Sequence, residues 1–131
     1  MSILSDMVEK EFTERLPLGS YVHRFVDTKA ARSLVQGQPA DYLVGLPGEM
    51  RLGFAEVKLC NEERGFPFSN LRIAQKSTMA ICVRMGLPYD VYIKCGWSKT
   101  WYKVPGLLIV GTLTEGRKSL SWNELENYKW P

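Results

Sequence analysis

The chain has 131 residues, enough for one domain with a single core, and its 45% hydrophobic and 24% charged residues exclude a disordered polymer. Three cysteines, Cys60, Cys82 and Cys95, without CxxC spacing exclude a disulfide framework and a structural zinc site and point to a reducing cytoplasm. Seventeen Lys and Arg against fourteen Asp and Glu leave a net charge of +3, which suits a polyanionic partner without singling one out.

The N-terminus, MSILSDMVEKEF, has neither a basic start nor a sustained apolar run, so neither export nor membrane insertion is expected. Residues 5–16, SDMVEKEFTERL, predict a short amphipathic helix. Ser5 is its N-cap candidate, Val8, Phe12 and Leu16 recur every fourth residue, and Pro17 stops it. YVHRFVD, after Gly19, is rich in β-formers and predicts a strand, and TKAARSLVQGQ reads as a loop with room for one helical turn. Residues 39–58, PADYLVGLPGEMRLGFAEVK, predict a hairpin, with a strand over 41–46, a turn at Pro47 and Gly48, and a return strand LGFAEVKLC. The period of two places Leu52, Phe54, Glu56 and Lys58 on one face of that strand and Gly53, Ala55, Val57 and Leu59 on the other. Counting back across the turn sets Asp41 opposite roughly residue 54, at the end of the hairpin where Glu56 lies.

SNLRIAQKSTMAICVRMG reads as the longest helix, capped by Ser69 and stopped by Gly86. Its apolar stripe runs through Leu71, Ala74, Thr78, Ile81, Cys82 and Met85, with Arg72, Gln75 and Lys76 flanking its start. YDVYIKC and TWYKVPGLLIV complete the strands, and SWNE at 121–124 matches a capping box that opens a short terminal helix. The order predicts an α/β domain over residues 1–131, with a mixed five-stranded sheet flanked by helices.

A carboxylate or ammonium on a half-buried strand is costly unless it is paired, hydrogen-bonded or bound to a metal, and three such groups converge at one end of this hairpin. Asp41 and Glu56 are hard oxygen ligands. Together with a backbone carbonyl, that of Val57, and water they suit Mg²⁺ or Mn²⁺. Lys58 beside such a cation is suited to stabilise charge developing on a phosphate or to orient an attacking water.

These residues resemble the PD-(D/E)xK nuclease superfamily: Pro39-Ala40-Asp41 corresponds to the proline-aspartate element and Glu56-Val57-Lys58 to the E-x-K element. The alanine between Pro39 and Asp41 departs from the pattern at its loosest part. FPFSNLRIAQKSTMAICVRMGLPYDVYI is similar to the region after the E-x-K strand in RecU and archaeal Hjc-like Holliday junction resolvases, and the resemblance spans about residues 9–105. It implies a restriction-endonuclease-like core and a metal-dependent DNA endonuclease acting on branched DNA in the cytoplasm, host cytoplasm for a compact phage-encoded enzyme. It also implies a site glutamine, Gln75, and a first-helix acid, Glu9, with Glu11 as its rival.

Arg64, Arg72, Lys76 and Lys99 are the candidate DNA contacts, and Lys94 and Lys103 lie among aromatic residues, Tyr92, Trp97, Trp101 and Tyr102, that serve either stacking or the core. A junction has two strands to cut, so a homodimer is expected, with the Trp97–Trp101 segment and the Ile81–Met85 half of the long helix as candidate surfaces. Two alternatives share the fold: a nuclease specific for flaps, single strands or ends, and a DNA-binding module without catalysis. Asp27-Thr28-Lys29 is a second acidic-x-Lys triplet but lacks a hairpin partner, and His23, the lone histidine, is assigned no role.

Overall fold

The computed structural model describes residues 3–25 and 38–131. Of the loop expected over residues 28–38 all but Gln38 lies outside the described residues, as do Asp27 and Lys29. Five strands, β1 (Tyr21–Arg24), β2 (Tyr42–Gly45), β3 (Gly53–Cys60), β5 (Tyr89–Cys95) and β6 (Trp101–Pro105), form one sheet in the order β1-β2-β3-β5-β6. Only the β3/β5 pair is parallel; the other neighbours are antiparallel. Parallel strands need a crossover. Here it contains β4 (Gly65–Pro67), a 3₁₀ turn at Phe68–Asn70 and helix α2 (Ile73–Met85). Helix α1 (Ile3–Arg15) precedes the sheet, α3 (Gly106–Thr114) follows β6, and β7 (Ser119–Ser121) pairs with β4 in a small ribbon. Among the described residues no helix is long and apolar enough to cross a membrane.

The alternation read from β3 sorts the two cores. Ala55, Val57 and Leu59 pack towards α1, where Val8 and Phe12 are buried, whereas Phe54 and Cys60 join the larger cluster with Met79 and Cys82 of α2 and Ile109 of α3. Phe12 is fully buried, its ring centroid 5.2 Å from that of Tyr42, 4.7 Å from Tyr92 and 5.8 Å from Trp130. Trp101 lies in the same cluster and is buried, its ring edge-to-face with Trp130 and under the Arg15 guanidinium. Trp101 is therefore no surface residue, contrary to the expectation for a dimer patch; Trp97, Ile81 and Met85 are exposed.

Three further expectations shift. Tyr42 pairs with Ala55, so one step further on Asp41 falls beside Glu56 rather than residue 54, because the last paired residues are Val44 and Gly53 and the β2–β3 connection is longer than counted. The long helix begins after Arg72, not Ser69, and its buried face runs through Gln75, Met79 and Cys82. A buried glutamine breaks an apolar stripe, which is why periodicity turned that face outward by one position. GLLIV is helix, not strand: an apolar run of that length looks the same in either state. Pro105 ends β6 and starts α3, and Gly106 admits the close approach of Met79 and the Tyr89 carbonyl, which a Cβ would meet at 2.7 and 2.8 Å. The stop at Gly86 is as read, with φ at 72°, in the left-handed region. At SWNE the Ser121 hydroxyl accepts from the Glu124 N–H (3.1 Å) and Glu124 Oε1 from the Ser121 N–H (3.0 Å), but only a turn and a 3₁₀ segment, Glu126–Tyr128, follow.

Phe12→Ala opens a cavity among three rings and loosens α1, so unfolding in urea should show a loss of about 3–5 kcal/mol.

Candidate functional site

The ladder between β2 and β3 ends at Tyr42 and Ala55, while β3 runs on to Cys60. The edge of β3 beyond Ala55 therefore borders a notch between α1 and the start of α2. Asp41 closes the ladder there: its Oδ2 accepts the Val57 N–H at 2.8 Å. Because the N–H and C=O of one strand residue leave on the same edge, the Val57 carbonyl faces this notch too. The notch measures about 330 Å³ and is lined by Leu4, Ser5, Glu9, Asp41, Glu56, Val57, Lys58, Leu59 and Arg72.

Glu56 is 1% exposed. Its Oε2 accepts from Gln75 Nε2 at 2.7 Å and lies 3.2 Å from Lys58 Nζ, while Oε1 has no hydrogen-bond partner. Gln75 is fixed in turn, since its Oε1 accepts the Arg72 N–H at 2.8 Å at the start of α2 and only its NH₂ is left for Glu56. Fully buried, Gln75 reaches the notch only through Glu56. Glu9 projects from α1 and accepts the Tyr42 hydroxyl at 2.9 Å on Oε1, with Arg24 Nε 3.6 Å from the same oxygen. Glu11, two residues on, points elsewhere, to Lys94 and the Trp101 indole, both at 2.5 Å.

Burial pushes Glu56 up to about 8, the nearby Asp41 charge adds to this, and Lys58 offsets only part of it. Burial likewise raises Asp41 against the lowering effect of the Val57 N–H, and raises Glu9 against its bond from Tyr42. Two desolvated carboxylates beside each other, one with an unpartnered oxygen, suit a divalent cation, which would reverse both the desolvation and the repulsion. Among the described residues no group of three His, Cys, Asp or Glu side chains forms a closed metal cage. A cation here would rely on Asp41, Glu56, the Val57 carbonyl and water, a hard and partly hydrated set that fits Mg²⁺ or Mn²⁺.

Of the basic candidates, Arg72 lines the notch and Lys76 lies one helical turn further along α2. Arg64 instead borders a separate hollow with Glu62, Glu63 and Pro67, and Lys99 sits in the β5–β6 turn with φ at 62°. Tyr42 and Arg24 escaped the sequence reading. The available signal was adjacency: the residue after Asp41 on a strand must face the opposite side of the sheet, towards α1.

No protein-family model matches the sequence, and no curated protein does. Among solved structures, the chain is similar to Hjc, a Holliday junction resolvase from the archaeal hyperthermophile Archaeoglobus fulgidus, with a TM-score of 0.50 over 79% of this chain and 73% of that one. The chain has the fold of Hjc. At 17% identity the likeness concerns architecture, an α/β restriction-endonuclease-like core around the mixed five-stranded sheet.

Without metal, native Glu56 keeps its proton up to about 8 while the unfolded chain loses it near 4.5, so stability falls as pH rises between these values. Glu56→Gln should remove that slope and raise the midpoint of thermal unfolding in EDTA at alkaline pH by about 5 °C, with little effect in acid.

Proposed function

We propose that this protein is a Mg²⁺- or Mn²⁺-dependent endonuclease that hydrolyses phosphodiester bonds in branched DNA, a Holliday junction resolvase that works as a homodimer. The observation that carries the reading is Glu56: a buried carboxylate with one unpartnered oxygen, set beside Asp41 and Lys58 at a notch, in a chain with the fold of a resolvase. Asp41, Glu56 and the Val57 carbonyl would hold the ion, which when bound would polarise the phosphate and make a bound water more acidic than in bulk.

The side chains divide the remaining work. Gln75 keeps Glu56 Oε2 in place and leaves Oε1 for the notch. Lys58, with its side chain 22% exposed, presents an ammonium where negative charge grows on the phosphate oxygens or where the attacking water loses its proton. Glu9 adds a carboxylate from the α1 side. Arg72 and Lys76 hold backbone phosphates at the mouth, and Arg64 and Lys99 contact DNA further from the notch. One chain presents one notch, and two matched cuts across a junction need two, which a two-fold pair supplies.

Asp41→Asn and Glu56→Gln should each lower Mg²⁺-dependent cleavage of a four-way junction by roughly a thousandfold or more while leaving DNA binding intact. Lys58→Ala should cost roughly a hundredfold or more in rate with Mg²⁺ affinity nearly unchanged, since its contact strengthens only in the transition state. A gel assay with junction, supercoiled, linear and single-stranded DNA, with Mg²⁺ or EDTA, reads both. Near wild-type turnover in either carboxylate variant would remove the metal site from the account. Light scattering with and without junction DNA should give a dimer; a strict monomer with equal affinity for junction and duplex would leave a general nuclease instead.

A further inference from the structure

We propose that Tyr42 is a positioning residue that sets the α1 carboxylate Glu9 against the notch, so that β2 couples both walls of the site. The proposal rests on the metal-dependent reading above and adds a residue to it. Tyr42 directly follows Asp41, and successive strand residues face opposite sides of a sheet. Asp41 turns to the β3 edge and bonds the Val57 N–H, while Tyr42 passes into the α1 core, where its ring lies 5.2 Å from Phe12. The ring is 4% exposed, and its hydroxyl emerges at Glu9, donating to Oε1 at 2.9 Å.

Two features distinguish this from ordinary packing. A phenylalanine would fill the same core, so the hydroxyl serves its hydrogen bond and not the burial. Both protein contacts of the carboxylate, Tyr42 and Arg24, fall on Oε1, and among the described residues Oε2 accepts no hydrogen bond. Glu9 lines the notch with Asp41 and Glu56, so a carboxylate anchored by one oxygen has the other available for water on a cation held there. Arg24 is half exposed on the edge strand and is the weaker anchor; Tyr42, held on all sides, fixes the rotamer.

The test is a double-mutant cycle read by calorimetric titration with Mn²⁺ in the absence of DNA, using the wild type, Tyr42→Phe, Glu9→Gln, the double variant and Asp41→Asn. Tyr42→Phe and Glu9→Gln should each weaken Mn²⁺ binding by about tenfold, and the double variant should bind no more weakly than Glu9→Gln alone. In junction cleavage, Tyr42→Phe should lower kcat and leave KM unchanged. Mn²⁺ affinity within about twofold of wild type in Tyr42→Phe, or losses that add in the double variant, would overturn the proposal. Asp41→Asn separates the two levels: if it loses Mn²⁺ while Tyr42→Phe does not, the metal site stands and the Tyr42 role falls. If Asp41→Asn binds Mn²⁺ as the wild type does, both fall.

Discussion

The bond from the Val57 N–H to Asp41 is the constraint from which the site follows. It ends the β2–β3 ladder with a side chain instead of a backbone carbonyl, and so leaves the far half of β3 bordering a notch without a partner strand. Glu56 and Lys58 flank Val57 on the other face of the strand, and the Val57 carbonyl shares the edge that Asp41 occupies. One hydrogen bond thus aligns an acid, a carbonyl and the Glu-x-Lys pair within a few ångströms. β3 is held by β5 along its whole length, which gives these groups a rigid support.

The arrangement is not optimal for folding. A carboxylate that is 1% exposed, with an orphaned oxygen and a second carboxylate nearby, opposes the folded state whenever it is ionised. The rest of the molecule offsets this cost with ordinary means: an aromatic cluster around Phe12, a second core between the sheet and α2 and α3, and a buried glutamine dedicated to one Glu56 oxygen. Sites that conflict with local stability are expected where chemistry is done. The raised pKa values of Asp41, Glu56 and Glu9 all arise first from burial, so the notch gathers negative charge in a poorly solvated place and favours a cation there.

Much of this was legible in the sequence because it rests on short-range rules. The period of two put Glu56 and Lys58 on one face, and YDVYIKC read as a strand is β5 residue for residue. The five-stranded sheet follows the predicted element order. What periodicity missed are the places where tertiary contacts override it. Gln75 occupies a buried helical position because Glu56 needs a donor, and no apolar pattern reveals that. α3 hid inside an apolar run. Glu9 and Glu11 are two residues apart on one helix and so point in different directions; only the seating of α1 on the sheet sends one to the notch and the other to Lys94. The period of two turns Tyr42 away from Asp41, but its bond to Glu9, and the approach of Arg24 from β1, depend on how α1 seats on the sheet.

The central claim is that the notch between Asp41 and Glu56 is built for a divalent cation, and the Glu56 carboxyl reports on it directly. Carbon-13 NMR of that carboxyl, followed over a pH titration with and without Mg²⁺, measures its ionisation independently of any DNA. The account predicts titration near 8 in the metal-free protein and a fall of more than about one unit when Mg²⁺ is present. The same titration curve in both conditions would contradict it.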